Sequence, residues 1–250
     1  MFENLTDKIR SHAAAEYPRE SCGFIVDGDY IPVPNSSDTP NETFRVDNRY
    51  WMEYGVKAQG FVHSHPEWYP VPSENDMRQQ IASALPWGII GIKENGAGGY
   101  VFSNVEWFGD GVPTLPLKER GFRHGITDCY SGIRDWFKIK KRIILKEIPR
   151  SWEWWQDGGD LYSDNFGPVG FVRVPEDEIK REGPREGDVF LASIRSNVLN
   201  HGGVYTGNGL GFHHLTAVEA YDLSRLSREE PINRWLPYIR LWVRYNGETS

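Results

Sequence analysis

Residues 109–121 read GDGVPTLPLKERG, with three glycines, two prolines and no apolar periodicity. Proline removes a backbone donor and glycine loosens the backbone, so neither a helix nor a central strand runs through such a stretch. The 250 residues are therefore expected to fold as two domains, 1–108 and 118–250, each long enough to bury a core of its own. No internal repeat relates the two halves.

Charge and hydropathy narrow the class. The formal net charge is −7, so the chain as a whole is no generic nucleic-acid binder. One basic stretch, KIKKRIILK at 138–146, has helical spacing and reads as the solvated face of a helix. Glu3 and Asp7 stand among the first residues, and no apolar run of about 7–15 residues marks a signal peptide. No stretch approaches the roughly 18 apolar residues of a membrane span. A soluble chain that starts in the cytoplasm is expected. The two cysteines, Cys22 and Cys129, make no disulfide framework in a chain of this size; Cys22 reads as a small core residue.

In the first half, LTDKIRSHAAAEYP suits a helix, with Thr6 to cap it, alanines to favour it and Pro18 beyond its end. SCGFIVDGDYIPV, two apolar runs around Asp-Gly, reads as a hairpin. FRVDNRYWMEYGVKAQG offers a strand and a helix, FVHSH a strand, and SENDMRQQIASAL a helix with Ser73 at its N-cap; WGIIGIK and YVF complete a sheet. In the second half, DCYSGIRDWFKIKKRIILKEI is the strongest helical segment of the chain. It is followed by the Trp-rich SWEWWQDGGDLY, the turn-rich GPREGDVFLASI and a hairpin, HGGVYTGNGLGFHHL.

Two clusters carry chemistry. A strand projects alternate residues to one face, so His63 and His65 in FVHSH point the same way. Asp76 falls in the first turn of the next helix, where the dipole favours a carboxylate. Two imidazoles and one carboxylate, with a fourth position left for water, is the ligand count of a catalytic zinc site. The plainer alternative is also open: backbone groups satisfy two strand histidines, and Ser73 is only a cap. The second cluster begins at Cys129, where the helix dipole is expected to lower the thiol pKa. A nucleophilic cysteine needs a base and a group to orient it. His201 and His213 stand opposite one another if HGGVYTGNGLGFHHL is a hairpin; otherwise they and His214 are ordinary strand or turn residues.

The pattern His63-x-His65-Pro66, six residues, Ser73, two residues, Asp76 resembles the signature of the JAMM (MPN-type) metallopeptidases. PRESCGFI at 18–25 matches the context of that family's upstream glutamate. The resemblance implies that His63, His65 and Asp76 bind Zn²⁺, that Glu20 is the general base, and that Ser73 stabilises the oxyanion. It also implies cleavage of a peptide or isopeptide bond.

DCYSG followed by HGGVYTGNGLGFHH is similar to the NlpC family of papain-like cell-wall cysteine peptidases, and REGDVFL at 185–191 matches the strand before its histidine strand. This resemblance implies Cys129 as nucleophile, His201 as base and His213 as orienter. His214 is offset by one and faces the other side. Many members carry a tyrosine before the cysteine that supports the oxyanion; ERGFRHGITDC has Phe122 instead, leaving backbone N–H groups or His124 as donors. Trp152, Trp154 and Trp155 read either as a substrate wall or as core and rim packing.

The fold class expected is therefore α/β and α+β, a JAMM-type α-β-α sandwich followed by a papain-like NlpC-type domain. The two in this order resemble a family of tail assembly proteins of long-tailed phages. That resemblance implies a place at the virion tail tip, other tail-tip proteins and peptidoglycan stem peptides as partners, and no nucleic acid. The competing expectation is an assembly factor that keeps peptidase folds as docking modules, since fold alone does not fix function.

Overall fold

Helix α1 (Thr6–Glu16) starts one residue earlier than a Thr6 cap requires. A 3₁₀ turn at Glu3–Leu5 leads straight into it, and Leu5 at the cap position makes no side-chain bond. The computed structural model describes residues 1–66 and 69–247 and separates two units, Met1–Pro113 and Thr114–Ser250.

In the first unit, strands β1 (Cys22–Val26) and β2 (Asp29–Val33) form the expected hairpin. Asp27 and Gly28 both take positive φ, at 51° and 76°, the geometry of the tight turn that Asp-Gly favours. The strand expected in FRV does not form. Residues 43–47 join no strand and lead into α2 (Asn48–Tyr54), whose cap is Asp47, and Phe44 and Val46 are buried as single side chains. Strand β3 (Ala58–Pro66) carries both histidines, α3 (Glu74–Ser83) follows, and β4 (Pro86–Glu94) and β5 (Tyr100–Gly109) close the sheet. Its order is β2-β1-β3-β4-β5, with β3 and β4 parallel across α3 and the other pairs antiparallel. Leu5 of the 3₁₀ turn and Ile9 and Ala13 of α1 cover one face through Val62, Ile90 and Ile92. An aromatic layer of Phe24, Phe44, Phe61 and Trp87 fills the other, with His63 at its end. Helices on both faces of one mixed sheet make this unit an α-β-α sandwich.

The second unit is built on α4 (Cys129–Trp136), which is shorter than the sequence pattern suggests. It passes into a π-helical turn at Phe137–Lys141 and stops where Arg142 adopts φ 58°. Beyond that point Leu145 and Ile148 join the unit's core and Arg150 is buried, whereas Ile144 and Lys146 face solvent. An irregular strap sends these side chains inward where a helix would send a fixed stripe. KIKKRIILK is thus a solvated helical face only as far as Lys141.

Strands β6 (Gly121–Arg123) and β11 (Tyr221–Leu226) form a small ribbon. The main sheet has the order β12-β10-β9-β8-β13-β7, from β7 (Phe171–Arg173), β8 (Val189–Ala192), β9 (His201–Gly207), β10 (Leu210–His213), β12 (Arg228–Pro231) and β13 (Ile239–Tyr245). The β9–β10 hairpin turns through Gly207, Asn208 and Gly209, all at positive φ. Alternation along these strands separates two layers. Val189, Leu191, Val204 and Phe212 pack with Ile133 and Trp136 of α4, while Phe190, Trp242 and Ile232 form a second cluster.

At Gly203 a Cβ would stand 2.5 Å from both Phe190 and the Phe212 carbonyl oxygen, and 2.7 Å from Cβ of His213. The carbonyl belongs to the paired strand and cannot move aside. Gly203→Ala is therefore expected to destabilise the second unit by about 1–3 kcal/mol, read as a lowered unfolding transition in calorimetry with the first unit's transition unchanged.

Candidate functional site

Register brings the first cluster together. Cys22 lies opposite His63 in the β1–β3 pairing, and the ladder continues one step through Ser64 N–H donating to the Ser21 carbonyl, 2.9 Å. The hydroxyl of Ser64 accepts from Ser21 N–H at 2.8 Å and bonds the Ser21 hydroxyl at 3.1 Å. The middle residue of His-Ser-His thus pins the chain next to Glu20, a role its sequence position gave no sign of. Asn35 adds a clamp by donating to the Glu20 carbonyl, 3.0 Å.

Helix α3 supplies the carboxylate. Ser73 caps it in a reciprocal box with Asp76: Asp76 N–H donates to Ser73 Oγ at 3.1 Å, and the Ser73 N–H and hydroxyl donate to Asp76 Oδ2 at 2.8 and 2.7 Å. Ser73 therefore spends its hydroxyl proton on holding Asp76. The same carboxylate reaches His63 Nε2 at 3.4 Å and His65 Nε2 at 3.6 Å, and the two imidazole nitrogens are 3.0 Å apart. His65 Nδ1 is 3.0 Å from the Tyr69 carbonyl; a carbonyl only accepts, so Nδ1 carries the proton and Nε2 presents a lone pair.

These donors suit a metal ion. One ligand atom from each of His63, His65 and Asp76 lies within 4.8 Å of the others, and all three residues are buried. Zinc–ligand bonds of about 2.0–2.1 Å put tetrahedral donors about 3.3 Å apart, close to the spacings observed. Burial pushes the Asp76 carboxyl up, but the two histidines outweigh it and hold the group well below the usual carboxylate range. Burial likewise lowers His63, while in His65 the bond to Asp76 overcomes burial and raises the imidazole. Glu20 is buried beside them. Loss of hydration, opposed by His65 and aided by Asp76, raises its carboxyl to about 7. Cys22, fully buried with its thiol pushed up to about 12 by burial, is a core residue.

In the second cluster Asp128 caps α4 by accepting from Ser131 N–H at 2.9 Å. Its two oxygens also take Arg150 Nη2 and Nε, both at 2.9 Å, and Gly125 N–H at 2.8 Å. Burial pushes this carboxyl up, but Arg150 outweighs it and leaves the group below the normal range. Cys129, the first residue of the helix, accepts from the Tyr162 hydroxyl at 3.2 Å and from the Gly202 N–H. Its thiol rests against the start of β9, one residue from His201.

The lowered thiol pKa expected from the helix dipole is not found. Burial, reinforced by the Asp128 carboxylate, pushes Cys129 up to about 11. His201 Nε2 lies 3.2 Å from His213 Nδ1, and His213 Nε2 lies 2.7 Å from Glu230 Oε1. His201 Nδ1 is buried and has no hydrogen-bond partner. Burial, with His213 adding to it, holds His201 well below the usual histidine range. Burial also lowers His213, to about 4, against the pull of Glu230. Thiol and imidazole thus rest neutral.

The remaining expected residues fall into place. His214 Nε2 donates to the Arg225 carbonyl at 2.7 Å and its ring packs on Phe122. His124 is committed elsewhere, with Nε2 donating to the Arg150 carbonyl at 3.0 Å and Nδ1 3.7 Å from Asp128. Trp154 packs on Tyr162, and Trp152 on Phe122 and His124; with Trp155 they are half-buried, serving packing while keeping a solvent-facing side. Tyr162 and Glu230 are functional candidates that the sequence does not mark. Both lie outside any motif, and only the tertiary fold brings them to the cysteine and the histidines.

Residues 2–103 match the family of prokaryotic homologs of the JAB domain. The tail tip assembly protein K of Escherichia phage N15 is 31% identical over 222 residues, covering 86% of this chain and 86% of its own. Its counterpart in Escherichia phage lambda is 33% identical over 167 residues, 66% of this chain and 74% of its own. The chain belongs to the tail tip assembly protein K family. Among solved structures, an NlpC/P60 family protein from Bacillus cereus aligns with 96% of this chain and 67% of its own, at 12% identity and a TM-score of 0.32. Among the described residues no helix is long and apolar enough to cross a membrane.

The buried Asp128–Arg150 pair gives a direct test of how the cysteine site is held. Arg150→Met leaves a buried carboxylate uncompensated and is expected to cost about 3–5 kcal/mol. A depressed carboxyl contributes stability that is full above its unfolded pKa and lost as pH falls through the folded value. Denaturant titrations should therefore show the wild-type second unit losing stability below about pH 4, with a shallower acid loss in Arg150→Met.

Proposed function

We propose that this chain is a tail-tip assembly protein with two hydrolytic sites: a zinc peptidase site in the first unit and a cysteine peptidase site in the second. The first cleaves a peptide or isopeptide bond, with another tail protein as substrate during assembly in the host cytoplasm. The second cleaves peptidoglycan stem peptides as the tail tip crosses the cell envelope. The observation that carries the proposal is the pairing, in one member of this family, of a buried His-His-Asp donor set beside a glutamate near 7 with a cysteine held against a histidine strand. The papain-like, NlpC-type reading of the second unit is supported by the helix carrying Cys129 and by the β8–β9–β10 ladder that presents the two histidines.

In the first site His63, His65 and Asp76 hold the zinc, which supplies Lewis acidity for hydrolysis. Glu20, whose carboxyl burial raises to about 7, would take a proton from the attacking water and return it to the leaving nitrogen. Ser73 keeps Asp76 aimed through its two bonds, and supports the oxyanion only if that hydroxyl is released from Asp76.

In the second site the Cys129 proton passes to His201 Nδ1 as sulfur attacks the scissile carbonyl carbon. The same proton then leaves with the amine, and water hydrolyses the thioester. Because thiol and imidazole both rest neutral, transfer accompanies attack. The oxyanion is met by the Tyr162 hydroxyl and by the backbone N–H of Cys129, which has no partner within the helix. The half-buried tryptophans beside Tyr162 offer a wall for the stem peptide.

Three measurements test this reading. Purified protein should hold about one zinc, lost in His63→Ala or Asp76→Ala; wild-type protein purified in zinc that binds none overturns the first site. Peptidoglycan digests analysed by mass should contain stem-peptide fragments that vanish in Cys129→Ala, and an equally active variant overturns the nucleophile. Phage carrying either substitution should lose assembly or entry, whereas full infectivity of both would favour docking modules.

A further inference from the structure

Glu230 on β12 lies at the end of a line of polar contacts that begins at His201, on the strand against which the Cys129 thiol rests. Its Oε1 is 2.7 Å from His213 Nε2, His213 Nδ1 is 3.2 Å from His201 Nε2, and His201 Nδ1 is buried with no partner. We propose that Glu230 is a positioning residue for the cysteine site, selecting the one tautomer of each histidine that leaves the His201 Nδ1 lone pair facing the thiol. The proposal rests on the cysteine-peptidase reading of the second unit.

An ionised carboxylate only accepts, so the proton of neutral His213 must sit on Nε2. His213 Nδ1 is then a lone pair, and the contact with His201 forms only if His201 Nε2 carries the hydrogen. The remaining nitrogen, His201 Nδ1, is left basic. Without the carboxylate His213 is free to carry its proton on Nδ1. His201 would then have to accept at Nε2, carry its own proton on Nδ1, and present a donor to the thiol. That state has no base. An orienting carboxylate does this work directly on the base in the Ser-His-Asp triad; here it acts through an intervening imidazole.

Glu230 is built to stay ionised and still. Arg228 Nε and Arg234 Nη1 lie 3.3 Å from its oxygens, and the Trp235 indole N–H donates to Oε1 at 3.0 Å. The Trp235 ring covers both histidines, at 4.5 Å from His213 and 5.4 Å from His201. The other charged or titratable groups facing the pair are His214 on the neighbouring position and Arg225 of β11, both of which disfavour a cation there. Phe190 of β8 supplies an apolar wall. Within this setting Glu230 is the carboxylate that opposes Arg225 and Arg228 when His201 takes up the thiol proton.

The test uses the full-length protein and iodoacetamide. Alkylation of Cys129, located by mass spectrometry, is followed from pH 5 to 10 in wild type, Glu230→Gln and Glu230→Leu. The expected result is an alkylation rate at pH 7 at least about tenfold lower in Glu230→Leu, with its pH midpoint moved upward. Glu230→Gln, which keeps an acceptor but loses the charge, should fall between. An unchanged pH profile in a folded Glu230→Leu protein overturns the proposal. If Glu230→Leu does not fold, ¹⁵N spectra of histidine-labelled wild type decide: both His201 and His213 should be Nε2–H tautomers, and an Nδ1–H signal from His201 overturns it. Because alkylation needs no wall substrate, an absent peptidoglycan digest with a shifted alkylation profile would sink the peptidase reading and leave the relay standing.

Discussion

The second unit depends on one buried ion pair. Arg150 meets both oxygens of Asp128 while also donating to Ser131 Oγ, 2.9 Å, and to Glu147. Two charges leave water only when geometry and further hydrogen bonds offset the desolvation, and here every face of the carboxylate is occupied. The consequences spread outward. The strap after α4 must run back along the core to deliver Arg150, which is why the helix ends at Lys141. The helix start is then fixed, and with it the position of Cys129 against β9.

The first unit solves the same problem with neutral partners. Asp76 stands at the third position of α3 and is held by the Ser73 amide and hydroxyl. In both units a carboxylate at a helix start is held by several hydrogen bonds, and in the first unit the strand bearing His63 and His65 comes to it from the sheet. Only Asp76 leaves an oxygen for the imidazoles; Asp128 is spent entirely on structure. The difference follows from Arg150, which makes a brace of Asp128, while Asp76 keeps an oxygen near the imidazoles.

What was legible in the sequence was local. Ser73, the Asp-Gly turn, the histidine strand and the β9–β10 hairpin each declared themselves through residues close in the chain. FRV misled because two buried apolar residues, Phe44 and Val46, mimic strand alternation without a strand to pair with. The long helical pattern beyond Lys141 misled because its apolar residues serve a strap whose course is set by a distant carboxylate. The depressed pKa expected for Cys129 reflected the dipole alone, and burial with Asp128 outweighs it. Tyr162 and Glu230 were out of reach because a phenol in a Trp-rich loop and a glutamate in a charged edge strand look like surface until the sheet is assembled.

The distance along the chain over which each site is gathered bears on when it comes into being. Glu20, His63, His65 and Asp76 all belong to the first unit and meet through a short hairpin ladder and one crossover helix. The thiol of Cys129 is covered only after β9 has docked, and Glu230 arrives with the edge strand β12, later still in synthesis. Contacts of large sequence separation form slowly, and domains mature in the order they leave the ribosome. A nascent chain thus gathers Glu20, His63, His65 and Asp76 while Cys129 still lacks the strands that cover it, so the reactivity proposed for the second unit would be withheld until β9, β10 and β12 have folded.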